Sequence, residues 1–136
     1  METLIEKLFD WIGQWHLLFL HFPIALIIMV GVAEVLFKIT KNPLFGNAAL
    51  FMLVAVVIMT VPTVFTGLAF AEGTKSLLLP WHRFFGLTTF VLSCITLYLH
   101  KQSRVFYGVC LALLIVSVTV TGYLGGMMSF SDWHLF

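Results

Sequence analysis

Of the five histidines, His16, His21, His82 and His134 gather at one end of the chain's apolar segments, and His100 stands at the other. A neutral imidazole ligates metal through one ring nitrogen while the other donates a hydrogen bond, so converging histidines within one membrane leaflet are candidate ligands. His16 and His21 are five residues apart, about 140° around a regular helix and about 7.5 Å along it. At most one of them therefore faces a bundle centre, and His21, which lies deeper, is taken as that one, with Pro23 adjusting the turn so that its ring points inward. His82 follows Pro80 and Trp81, which places it in the opening turn of a helix whose positive dipole end keeps the imidazole neutral. Arg83 and Lys75 stand nearby to meet lipid phosphates or the carboxylates of a cofactor.

Glycines collect at the same level: Gly67, Gly86, Gly122, Gly125 and Gly126. Small residues let membrane helices approach closely; here they also leave room for a flat ligand. The favoured expectation is one b-type haem held by His21 and His82, with Arg83 and Gly67, Gly86 and Gly122 around it, as bundles hold six-coordinate haem iron. The alternative is copper or zinc on His16, His21, His82 and His134, with Met127 or Met128 as soft donors for copper. A third reading is a cofactor-free anchoring or assembly subunit of a respiratory complex.

Four apolar segments must position these residues: about Leu17 to Ile39, Ala48 to Ala71, Pro80 to Leu99 and Val105 to Met128. The 136 residues are 61% hydrophobic and 10% charged, with a mean hydropathy of +1.08. Each segment has roughly the twenty residues that cross the hydrocarbon layer. The expected fold is all-α: an integral membrane four-helix bundle over residues 15–136, preceded by an interfacial amphipathic helix over 1–14 in which Leu4, Ile5, Leu8, Phe9 and Ile12 recur at helical spacing. Three acids against one lysine in Met1 to Gly13, and no A-x-A-like site, argue against a signal peptide.

With four crossings both termini share one face. The opposite face holds Lys38, Lys41, Lys101 and Arg104 without a loop acid; the positive-inside rule makes it cytoplasmic, with both termini outside a bacterial inner membrane. Trp11, Trp15, Trp81 and Trp133 form an aromatic belt at the terminal face. Cys94 and Cys110 read as packing residues, Glu34 as a local ion pair with Lys38, and His100 as a solvated cation at a helix end. The halves read as a duplication that matches His21 with His82, and Thr66-Gly67 with Thr121-Gly122, about an axis along the membrane normal.

Four stretches in order, "H-x4-HFPIAL" from His16, "TGL" from Thr66, "WHRFFG" from Trp81 and "TGYLGG" from Thr121, resemble the four-helix bacterial membrane proteins grouped as a domain of unknown function and sometimes fused to c-type cytochrome domains. The likeness covers nearly all the chain after residue 14. It departs from the family pattern at Leu17, where a proline is usual, and at Met127 and Asp132, where an acid and then a histidine are usual. The resemblance implies redox work, and the haem reading then expects electron transfer between quinol and a soluble or partner redox protein, a c-type cytochrome or a larger respiratory complex, so that any enzymatic role is at most that of an electron-transfer component. No serine-histidine-carboxylate set, H-E-x-x-H or phosphate loop recommends hydrolysis. A net charge of +1 and a lipid-facing surface exclude nucleic acid as a partner.

Overall fold

The computed structural model describes residues 3–70 and 75–132. Four helices account for them: α1 (Leu4–Thr40), α2 (Pro43–Phe70), α3 (Leu79–Leu99) and α4 (Arg104–Asp132). Each is long and apolar enough to span a bilayer, and the protein is the expected all-α four-helix membrane protein.

α1 begins at a capping box, in which the Thr3 hydroxyl accepts from the Glu6 amide and the Glu6 carboxylate accepts from the Thr3 amide. It then runs 37 residues without a break, about 55 Å. Residues 4–14 thus continue into the span as one helix. Gly13 is the weak point between them and the span, and one glycine costs a helix only about 1 kcal/mol. Pro23 does not interrupt α1 either. Lacking an amide, it leaves the Phe19 carbonyl without its helical donor, and the Thr63 hydroxyl of α2 reaches that oxygen at 3.1 Å while sharing its one proton with the Met59 carbonyl of its own helix at 2.7 Å. Pro23 therefore fastens α1 to α2 and does not re-aim His21.

The α1 to α2 connection is shorter than its polar composition suggested. Lys41 takes the left-handed conformation and donates to the Phe37 carbonyl; the Asn42 side chain then accepts from the Leu44 amide at 3.0 Å, and Pro43 opens α2 where no amide is needed. Two tight hairpins result, α1/α2 and α3/α4, each packed more closely within itself than against the other.

The core is shared by Ile27, Val30 and Ala33 of α1, Ala49, Leu53 and Val56 of α2, and Leu111, Leu114 and Val118 of α4. α3 buries hydroxyls instead, at Thr89, Ser93 and Thr96. Lipid tails are as apolar as leucine, so helices in a membrane associate through close packing and hydrogen bonds, and large side chains such as Phe51, Ile58 and Val105 face outward. Trp11, Trp15 and Trp81 are exposed; Trp133 lies outside the described residues. Cys94 and Cys110 are free thiols, half-buried.

Two expectations at the turn end are corrected. Glu34 is 5% exposed and its partners come from α4: the Tyr107 hydroxyl donates to it at 3.0 Å and the Arg104 guanidinium at 3.4 Å. Lys38 is exposed; Glu34 continues the core stripe of α1, which turns it toward α4. Tyr107→Phe takes away a donor from a buried carboxylate and is expected to cost about 1–3 kcal/mol, measured by detergent-induced unfolding. Loss below about 0.5 kcal/mol would show that water serves the carboxylate instead.

His100 is not a solvated cation. Both ring nitrogens are buried with no hydrogen-bond partner among the described residues, and the ring stands edge-on to Tyr107, with centres 5.0 Å apart. Burial holds its pKa below the ordinary imidazole value, Glu34 opposing this shift and Arg104 and Lys101 adding to it. The unfolded chain therefore binds more protons below about pH 6.5, and stability is lost as pH falls through that value toward the folded pKa. Unfolding measured at several pH values is expected to show this slope, and His100→Phe to flatten it.

Candidate cofactor site

The buried stripe of α1 runs through His16, Pro23, Ile27, Val30 and Glu34, while His21, off that stripe, is exposed. His16 is thus the histidine of α1 that turns inward. Its Nδ1 donates to the Thr63 carbonyl of α2 at 2.9 Å, with the Thr66 hydroxyl at 3.4 Å. His82, at the start of α3, has the matching arrangement: its Nδ1 donates to the Thr121 carbonyl of α4 at 3.0 Å. A carbonyl only accepts, so Nδ1 carries a proton in both rings, and in the neutral ring Nε2 then carries the lone pair. This is the tautomer of a histidine that ligates metal through Nε2 while a backbone carbonyl orients it.

The two rings approach from opposite hairpins. Their centres are 6.3 Å apart and their planes lie at 89°. Imidazole nitrogens stand about 2 Å from a bound transition metal, so two on opposite sides of one ion are about 4 Å apart; ring centres lie about 1 Å behind each, giving about 6 Å. The observed separation fits that spacing. Each ring also rests on a glycine: a Cβ on Gly67 would stand 2.7 Å from His16 Cε1, and one on Gly125 would stand 3.1 Å from His82 Cε1.

These matches define an internal two-fold in a register other than the one read from the motifs. His16 answers to His82, Thr63 to Thr121 and Gly67 to Gly125. The burial pattern keeps the same register: Pro23, Ile27, Val30 and Glu34 of α1 correspond to Thr89, Ser93, Thr96 and His100 of α3 at one constant offset. Ala49, Leu53, Val56 and Thr60 of α2 correspond likewise to Tyr107, Leu111, Leu114 and Val118 of α4, all eight buried. The sequence signal for it is the repeated dipeptide Trp15-His16 and Trp81-His82, which the alignment through His21 passed over.

A cavity of about 370 Å³ opens between the hairpins at this level. Gly86, Gly122 and Thr89 form part of its wall, with ordinary van der Waals space above both glycines. Arg83 and His21 stand at its edge, both exposed; His21 donates from Nδ1 to the Leu17 carbonyl of its own helix. Met128 also lines the cavity, whereas Met127 is 42% exposed. His134 and the Asp132 side chain lie outside the described residues. Among the described residues no group of three or more His, Cys, Asp or Glu converges to hold an ion.

A family model described as a predicted membrane protein (DUF2231) matches residues 14–133. No curated protein and no solved structure matches the chain.

Proposed function

The chain belongs to this family of predicted membrane proteins (DUF2231), and we propose that it serves there as a small b-type cytochrome, with haem held between His16 and His82 near the terminal end of the bundle. The observation that carries this reading is the pair of neighbouring imidazoles, their centres 6.3 Å apart and each fixed through Nδ1 by a carbonyl of the adjoining helix. Relative to the sequence-based expectation, His16 replaces His21 as the first ligand. Haem would supply one-electron chemistry. The chain's own residues orient the ligands through the Thr63 and Thr121 carbonyls, keep space open through Gly86 and Gly122, and offer the exposed Arg83 guanidinium to carboxylates at the cavity mouth.

Electrons would pass between quinol and a c-type cytochrome or a larger respiratory complex. Lys38, Lys41, Lys101 and Arg104 at the turn end favour an orientation with that end in the cytoplasm of a bacterium and the site in the outer leaflet. A bare copper or zinc ion would need no cavity of about 370 Å³, which favours the macrocycle.

The test is the absorption spectrum of the freshly purified protein, oxidised and dithionite-reduced, together with its iron, copper and zinc content. A Soret band with sharp reduced bands and one iron per chain is expected. Copper or zinc at one per chain without iron would replace haem with a mononuclear site; neither band nor metal would leave an anchoring subunit.

A further inference from the structure

The internal two-fold that relates His16 to His82 also relates Glu34 to His100, at the opposite end of the same stripes and about 27 Å along α3 from His82. An acid and an imidazole thus occupy equivalent inward positions where the cofactor site has two imidazoles. Tyr107 of α4 joins them: its hydroxyl donates to Glu34 at 3.0 Å and its ring meets His100 at 5.0 Å. Buried polar groups normally find partners, because an unmet donor or acceptor costs about 1–3 kcal/mol. Among the described residues His100 keeps two ring nitrogens buried and unmet near the buried Glu34 carboxylate, an arrangement that pure packing would fill with an apolar residue.

We propose that Glu34, Tyr107 and His100 form a proton-binding site at the turn end of the bundle. In the proton-free state the Glu34 carboxylate is balanced by Arg104, whose side chain is 52% exposed and whose guanidinium lies over the Phe37 and Tyr107 rings. On binding, the lone pair of His100 takes a proton from a solvent acid whose conjugate base stays in water. The imidazolium then gains the Glu34 carboxylate as counter-charge, and Arg104 is able to swing outward. The groups that face His100 are Glu34 from α1, Arg104 and Tyr107 from α4, and Lys101 from the turn; Lys38 stands exposed one turn beyond Glu34, and α2 carries no titratable residue. The balance of these charges against burial sets the site to fill below the ordinary imidazole range.

The site does not depend on a cofactor, and its test reads none. In the full chain in lipid nanodiscs, ¹⁵N spectra of labelled histidine, with His100→Phe assigning the signal, follow His100 from neutral ring to imidazolium. Glu34→Gln is expected to lower its proton affinity about tenfold, and Arg104→Gln to raise it. Arg104 is half exposed, so that variant folds if Glu34→Gln does not, and its opposite sign separates charge coupling from general disturbance. Titration at the ordinary imidazole value, unmoved by either substitution, would overturn the proposal. So would shifts of the same sign in both variants, or a titration that follows the identity of the added salt, which would mark an ion site.

Discussion

Alanine at either His16 or His82 is expected to abolish the six-coordinate low-spin spectrum of the reduced protein, while alanine at His21 or His100 leaves it intact. The two proposed ligands come from different hairpins, and each ring is held by a backbone carbonyl that no substitution removes. Loss of a ring therefore leaves its cradle standing, and free imidazole added to His82→Ala should restore much of the spectrum. Such rescue would separate ligation from a merely structural role. Loss of the hydrogen bond that orients a ligand typically costs about 10–100-fold in metal affinity; loss of the ligand itself costs more. His21→Ala is the sharper control, because His21 borders the same cavity yet is exposed and bonded to its own helix. A sample in which His21→Ala loses the spectrum and His16→Ala keeps it would overturn the assignment.

Why His21 was the natural choice from the sequence is itself physical. The five-residue spacing correctly requires that only one of His16 and His21 face inward, but the phase of α1 is set lower down, by Ile27, Val30 and Glu34 packing on the other helices. Depth alone favoured His21. Pro23 seemed to call for a local adjustment, whereas the freed Phe19 carbonyl is met by Thr63 from α2, a contact no local pattern announces. The spans, the opening turn at His82 and the glycine-rich level of the site were all legible, because hydropathy, proline and small residues act locally. Glu34 was not. Lys38 one turn away offered a sufficient partner, and the true ones lie in α4, reached only when the hairpins dock. The repeated Trp-His dipeptide was the available signal for both the ligand pair and the two-fold.

Gly67→Ala tests the cradle rather than the ligands. The added Cβ would stand 2.7 Å from His16 Cε1, a distance that ordinary contacts do not reach, and the ring cannot retreat without giving up the Thr63 carbonyl. Overpacking of this kind costs about 1–3 kcal/mol, and the displaced ring should weaken or abolish the six-coordinate spectrum. Gly125→Ala meets His82 Cε1 at 3.1 Å, a few tenths of an ångström too close, so a smaller loss with an altered but present spectrum is expected. Gly31→Ala supplies the decisive comparison: its Cβ would meet Ile115 Cδ1 at 2.9 Å, nearly as close, but that atom ends a flexible side chain that rotates away. Gly108→Ala meets nothing within 4 Å; it should leave the spectrum unchanged and, as a glycine inside α4, raise stability by up to about 1 kcal/mol. If Gly67→Ala and Gly31→Ala lower stability equally and leave the spectrum equally intact, the His16 ring is not held rigidly, and a pre-set ligand geometry at this level fails with it.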